Sequence, residues 1–417
     1  MAKPIGGFAS LGFGQKPEVG EPLIRKISNT ARDYAWGSPT LISDYFAIEP
    51  TGGPMAEIWF GTHLGSPAKV EAGEAENAAF EAQNLLDLRA GKQLPFLLKI
   101  LAAGQPLSIQ AHPNKDQALA GFERENATGI ALDAPDRDYR DDHHKPEMIV
   151  ALTEFTALIG FRPRVDIVVA FQRLALQAQS LELNELEDAL TSYIQMLRFG
   201  GVPELFRYLL GQRGQLAAVT AQLAQLATLS RAIDNIESAN LALVPQLESL
   251  YPGDPGILVS QLMNLVVLQP MQAAELAAGC VHAYVSGLGV EIMANSDNVM
   301  RGGLTSKHIN TEELLRVVDF GQEQVPTVEP KPLAAGLVEY PSATEDYLLY
   351  RVDVSGANVL ADIKLPNAAI LLCTAGEVAV GDSLGERQVL RKGEAAYLAD
   401  AKFYSFSGSG TAFLATN

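Results

Sequence analysis

Residues 106–120 read PLSIQAHPNKDQALA. Ser108, Gln110 and His112 alternate with Ile109 and Ala111. In a β-strand successive side chains point to opposite faces, so a hydroxyl, an amide and an imidazole would stand side by side on one face. One bound ion or small ligand could bridge them, but an exposed strand face also alternates polar residues. Spacing alone leaves that choice open.

The neighbouring runs extend the β-reading. AEIWFGTHLG (56–65), LPFLLKILAA (94–103) and PEMIVALTEFTALIGF (146–161) are short and broken by Gly and Pro. They predict a sandwich or barrel with helical trimmings. From about 164 to 250 the composition turns to Leu, Ala, Gln and Glu, as in ELEDALTSYIQMLRF (185–199) and PELFRYLLGQ (203–212), with apolar residues at helical spacing. A block of several helices is expected there, ended by the turn-rich YPGDPG (251–256). Strands resume in AAGCVHAYVSGLGVEIMANSD (277–297), and a Pro-rich connector (325–336) leads to strand–turn–strand repeats that resemble a small jelly-roll module. The expected class is mainly β with an α insertion. The division is a jelly-roll catalytic domain at 1–163 and 256–325, a helical insertion at 164–255, and a C-terminal jelly-roll domain at 326–417.

The chain has 417 residues, 47% of them hydrophobic, and a formal net charge of −18, which fits a globular protein with a full core. That charge repels polyanions and anionic membranes, so no nucleic-acid or membrane partner is expected, and a small anionic ligand needs a local basic cluster. The N-terminal MAKPIGGFASLGFGQK lacks an apolar signal core, and no uncharged apolar run reaches the roughly 18 residues of a membrane span. Cys280 and Cys373 are the only cysteines, too few and too far apart for a disulfide framework. These features read as a cytoplasmic protein.

Six histidines are present: His112, His143 and His144 in DDHHKPEMIV, His282 in GCVHAYVSG, and the more isolated His63 and His308. Strand alternation places Lys145 and Glu147 on one side. Gln110, His112, Glu147 and His282 would offer two nitrogen and two oxygen donors, a set that suits Zn²⁺ or another borderline divalent ion with a position open to water or substrate. Each alone is more often structural. Trp36 and Trp59 read as core or pocket wall, and Asp141, Asp142, Glu185 and Glu187 as solvated charge.

The strings YAWGSP (34–39), AEIWFGTH (56–63), LPFLLKIL with LSIQAHP, HHKPEM (143–148), YPGDPG and VEIMANSDNVMRGGLTSKH (290–308) occur in an order that resembles the type I mannose-6-phosphate isomerases (phosphomannose isomerases) of the cupin class over nearly the whole chain. The resemblance implies a metal-dependent aldose–ketose isomerase acting on mannose 6-phosphate and fructose 6-phosphate, with one Zn²⁺ per chain. It places the zinc ligands on Gln110, His112, Glu147 and His282, and the active-site arginine on Arg301. Ser108, Lys145, Glu291, Asp297 and Lys307 fall in the family's pocket, with Lys99 a weaker candidate. Two departures stand out: LQPMQAAELAAGCVHAY precedes His282 without the family's usual turn, and Leu64 follows His63 where Pro is usual.

Aldose–ketose interconversion moves a proton between adjacent carbons through a cis-enediol while an oxyanion is stabilised. Glu291 or Asp297 would move the proton, and Lys145 would polarise a sugar oxygen or assist ring opening. Arg301 would stabilise the enediolate, with Ser108 and Lys307 on the phosphate, unless Arg301 is itself the phosphate clamp. A small sugar phosphate is the expected partner, and the chain is expected to be a monomer or weak dimer. A cupin oxygenase would prefer two His and one carboxylate around Fe²⁺. The extra Gln and the Lys/Arg cluster speak against it, and the joint presence of Arg301, Lys145 and Glu291 speaks against a sugar-binding cupin without activity.

Overall fold

A computed structural model describes residues 24–71, 83–231, 240–356, 358–400 and 402–417. The N-terminal segment 1–16 and part of the expected helical block, 232–239, lie outside the described residues. The architecture is mainly β with inserted helices, as expected: two ten-stranded antiparallel sheets with a helical excursion from one of them. No described helix is long and apolar enough to cross a membrane.

The first sheet is organised around the 13-residue strand His282–Ala294. It pairs with Phe96–Ala103 on one side and Glu147–Ala151 on the other, and Glu57–Phe60 extends the sheet beyond Phe96–Ala103. Alternation decides where each residue goes. Ile58, Phe60, Leu98, Ile100, Met148, Val150, Val290 and Ile292 form a core against the second sheet, together with Ile370, Leu372 and Phe413. The intervening residues Glu57, Trp59, Lys99, Glu147 and Glu291 share the other face. That face is the floor of a polar site.

The helices leave the first sheet after the strand Phe155–Phe161 and return at Met263–Leu268, which pairs antiparallel with it. Between them run Arg164–Ser180, Asn184–Phe199, Gly201–Gly211, Ala217–Arg231, Val244–Leu250 and Pro255–Ser260. The sequence PEMIVALTEFTALIGF therefore holds two strands with a turn between. The helices bury Phe171, Leu190, Leu197, Phe206 and Leu209 against Ile109, Ala111, Val281, Ala283 and Val285. Those five residues are the apolar partners of Ser108, Gln110, His112, His282 and Tyr284 in the alternation.

The strand around Gln110 is shorter than its sequence pattern predicts. Only Gln110–Ala111 is regular, because its partners contribute single residues or pairs: His282 on one side and Met300–Arg301 on the other. Pro106 and Pro113 bracket the stretch and offer no N–H to a ladder. Ile109 N–H still donates to the Gly303 carbonyl at 3.0 Å, and Gly302 N–H to the Ile109 carbonyl at 2.7 Å, so Ser108 to His112 remains extended.

The second sheet is built on Ala369–Asp382 and Lys402–Thr416. The first described strand, Ile24–Ser28, pairs with Ala395–Leu398 of this sheet, so the described residues begin in the second sheet before they enter the first. His144, just ahead of the Glu147 strand, contacts Asp346 at 2.6 Å and ties the two sheets together.

One irregularity aligns the floor. His282 and Tyr284 are an even number of residues apart, but Glu291 is an odd number from both, and a regular strand would send it to the opposite face. The register slips by one residue between Tyr284 and Ser286, a β-bulge, and Tyr284 Oη donates to Glu291 Oε1 at 2.9 Å. Gly287 follows at φ +121°, where an added Cβ would lie 2.6 Å from the Glu154 carbonyl oxygen. Gly287→Ala is therefore expected to lose roughly 1–3 kcal/mol of stability. A lowered urea midpoint relative to the parent chain checks it.

Candidate metal centre and substrate pocket

His112, Glu147 and His282 come from three separated segments, and one ligand atom of each lies within 4.8 Å of the others. Register explains the meeting. His282 and Arg301 both pair with Gln110, so imidazole, amide and guanidinium occupy one sheet face in that order. Glu147 enters from the neighbouring strand, its Oε1 3.5 Å from His112 Nε2 and its Oε2 3.4 Å from His282 Nε2.

Both imidazoles are fixed by their far nitrogens. His112 Nδ1–H donates to the Asn298 carbonyl at 2.7 Å, and His282 Nδ1–H to the Cys280 carbonyl at 2.9 Å. Each ring therefore turns an unprotonated Nε2 inward, as metal-ligating histidines do. The Gln110 amide sits 3.2 Å from His282 Nε2, and a half-turn about its terminal torsion exchanges nitrogen for oxygen at that place. Two inward lone pairs facing a carboxylate share no proton, and His112 Nε2 is buried without a hydrogen-bond partner. A divalent cation fits this donor set and satisfies every member of it.

Burial alone would raise the Glu147 carboxyl, but Lys145, His112 and His282 hold it well below the usual carboxylate range. Lys145 Nζ lies 2.9 Å from Glu147 Oε1, which puts the two on one side as alternation predicts. Burial lowers His112 to about 4, partly opposed by Glu147, so the ring is neutral at physiological pH.

Beside the donors runs a second buried network. Lys99 Nζ contacts Glu291 Oε2 at 2.9 Å and Glu57 Oε1 at 3.7 Å, and Trp59 Nε1–H donates to Glu57 Oε2 at 2.7 Å. Burial works to lower Lys99 but its carboxylates raise it, while burial raises Glu291 against the pull of Lys99. Trp59 is thus pocket wall with a bonded indole, and Lys99 is one of the buried floor groups.

The mouth is more open. Ser108, Gln110 and Arg301 are half-buried, while Lys307 and Asp297 are exposed. Arg301 is lowered by burial and then by Arg140, and Lys307 by burial and then by Arg301 and Arg140. Three cations crowd one region with Asp138 as counter-charge, the local positive cluster that an acidic protein needs for an anionic ligand. Asp254 of YPGDPG braces this loop by accepting from Gly256 N–H and Leu304 N–H, each at 2.7 Å, and Arg213 from the helices donates to the Thr305 carbonyl at 2.8 Å.

Sequence reasoning passed over several of these groups. Arg140 carried no motif of its own. Asp141 is not idle solvated charge: it accepts from Ser296 Oγ at 2.7 Å, from Asp297 N–H at 2.7 Å and from Asn298 Nδ2 at 3.1 Å. Asn298 in turn accepts from Arg140 N–H at 2.7 Å and donates to the His143 carbonyl at 2.9 Å. Its presence in SDNVMRGG was the available signal. His63 is not isolated either, since its Nε2 lies 3.2 Å from Asp297 Oδ1.

Comparison with known proteins follows the same lines. Residues 24–164 match the family model of the phosphomannose isomerase type I catalytic domain. Mannose-6-phosphate isomerase of Escherichia coli (strain K12) is 35% identical over 393 residues, covering 90% of this chain and 95% of its own. The Homo sapiens mannose-6-phosphate isomerase is 31% identical over 391 residues, covering 86% and 88%. The crystal structure of mannose 6-phosphate isomerase from Salmonella typhimurium bound to substrate and a zinc atom superimposes with a TM-score of 0.81 at 32% identity, covering 95% of this chain and all of that one.

The role of Asn298 in presenting the carbonyl that orients His112 gives a test. Asn298→Ala is expected to weaken zinc binding by roughly 10-fold, the lower end for partners that orient a ligand. Competition with a chromophoric chelator measures it.

Proposed function

The chain belongs to the type I mannose-6-phosphate isomerases, and from that premise we propose how its own residues divide the interconversion of mannose 6-phosphate and fructose 6-phosphate that it catalyses as a zinc-dependent, cupin-class enzyme. The observation that carries the reading is the convergence of His112, Glu147 and His282 beside Gln110, on a face that also presents Arg301. Gln110, His112, Glu147 and His282 would hold one Zn²⁺, which supplies Lewis acidity toward the sugar oxygens.

The proton transfer falls to Asp297. Glu291, the other carboxylate with a claim, is buried and bonded at both oxygens by Lys99 and Tyr284. Asp297 is exposed at the mouth and held below its ordinary range: burial of part of the group raises it, but His63, Lys145 and Lys99 pull it down further. An ionised carboxylate there takes the proton from C2 of the open-chain aldose and returns it to C1, while a hydroxyl proton passes from O2 to O1, giving the cis-enediol between the two transfers. Lys145, already paired with Glu147, faces the oxygen on which charge grows. Glu291 and Lys99 keep the floor charged and rigid.

Arg301, Lys307 and Arg140 hold the phosphate, with Ser108 supplying a hydroxyl at the rim. Arg301 lies next to Gln110 in the register, so it also borders the reacting end. The segments 1–163 and 256–325 supply every group named, 164–255 packs behind them, and 326–417 closes the opposite face. The same reading makes this a cytoplasmic enzyme, supported by two buried free thiols, acting on its small substrate as a monomer or weak dimer.

Chelator treatment is expected to abolish turnover of mannose 6-phosphate in a coupled assay, with Zn²⁺ restoring it. Asp297→Asn is expected to lower kcat by about 10²–10⁴-fold, the usual worth of a positioned acid–base group. Lys307→Ala and Arg140→Ala are expected to raise KM for the sugar phosphate with kcat nearly kept. A full kcat in Asp297→Asn would move the proton transfer to another residue.

A further inference from the structure

His63 follows the strand Glu57–Phe60 and is buried, although Leu64 beside it is exposed. Its ring is held on three sides. Gly65 N–H donates to Nδ1 at 3.0 Å, which leaves the ring hydrogen on Nε2. That nitrogen lies 3.2 Å from Asp297 Oδ1. Trp59 packs edge-on with ring centroids 4.8 Å apart at 74°, and Trp59 is itself anchored through its indole N–H to Glu57. Gly65 approaches so closely that an added Cβ would sit 3.2 Å from Nδ1 and 3.4 Å from Cε1.

Asp297 is thus gripped twice. Its backbone N–H is taken by Asp141 and its carboxylate by His63. We propose that His63 is a positioning residue for the proton shuttle: a neutral imidazole, locked by Gly65 and Trp59, whose Nε2–H aims the Asp297 carboxylate into the pocket. The proposal rests on the assignment of the proton transfer to Asp297. It gives a physical reason for a buried histidine that neither the metal centre nor the phosphate cluster uses.

The charged groups facing Asp297 are His63 after the Glu57–Phe60 strand, Lys99 on Phe96–Ala103, Lys145 ahead of Glu147, and Asp141 on the loop behind. His63, Lys99 and Lys145 favour the ionised form. Deleting the His63 N–H removes one of those contributions, so the carboxyl titrates at higher pH. The base works ionised, and kcat/KM falls below its pKa. The acidic limb must therefore move upward.

The test compares zinc-loaded parent, His63→Leu, His63→Gln and Asp297→Asn over the pH range. In His63→Leu the acidic limb of kcat/KM is expected to rise by about one pH unit, within the usual effect of one hydrogen bond on a carboxyl. Its kcat at neutral pH should fall about 10-fold with KM within twofold of the parent. His63→Gln, whose amide N–H can reach the same carboxylate, should recover most of both. Gly65→Ala, which pushes the ring off its seat, should move the limb the same way by less, and it serves where His63→Leu does not fold. Ring ¹⁵N shifts of the parent should report His63 as the Nε2–H tautomer. An unmoved limb in His63→Leu beside an inactive Asp297→Asn overturns the proposal, as does the opposite tautomer. An active Asp297→Asn instead overturns the assignment of Asp297 while leaving the tautomer result intact.

Discussion

Everything in the pocket is arranged around the buried charge of Glu147. An ionised carboxylate removed from water is costly unless several partners compensate it. Here Lys145 supplies a cation at 2.9 Å, and the two imidazoles turn inward lone pairs that a further positive charge would satisfy. One cation from the protein and, when bound, one divalent ion would share the field of a single acid. A carboxylate at this position protonates with difficulty, because Lys145 and the imidazoles hold it well below the usual carboxylate range, so it stays an ionised donor when the pH drifts below neutrality.

That arrangement depends on strands having two different environments behind them. Ile109, Ala111, Val281 and Ala283 need an apolar partner on the side away from the metal donors, and the inserted helices provide it with Phe206, Leu209 and their neighbours. Further along the sheet the apolar side is covered by the C-terminal sheet through Ile370, Leu372 and Phe413. The polar face lies between these two cores, and the β-bulge after Tyr284 is where the long strand passes from one backing to the other. The inserted helices and the second sheet are in this sense two halves of one support.

Much of this was legible in the sequence, for physical reasons. Alternation with period two assigned Gln110 and His112 to one face and Lys145 with Glu147 to one side, and the change to helical spacing after 164 marked the insertion. Donor chemistry then singled out the same His, Glu and Gln residues that the fold brings together. What remained hidden depends on register and on non-local backbone. A bulge leaves no local mark beyond a glycine, so nothing in GLGVEIMA told that Glu291 would face His282 rather than solvent. Asp141 looked like surface charge because its partners, Ser296, Asp297 and Asn298, lie 155 to 157 positions away. The strand through Gln110 was overestimated because its polar alternation continues where its neighbouring strands have ended.

The net charge of −18 and the anionic substrate pose a last electrostatic question. At physiological ionic strength fields decay over about 8 Å, so the distant acidic surface is largely screened from a ligand that has reached the mouth. Within that distance the balance is reversed: Arg140, Arg301 and Lys307 face it together, crowded enough that Arg140 depresses the titration of both others. Mutual repulsion among the three cations would be relieved by an anion bound between them. Asp138 offsets Arg301 without filling the region, which keeps the cluster tolerable in the unliganded fold and still deficient in negative charge. The global acidity and the local basicity therefore act on different length scales, and only the short one reaches the bound sugar phosphate.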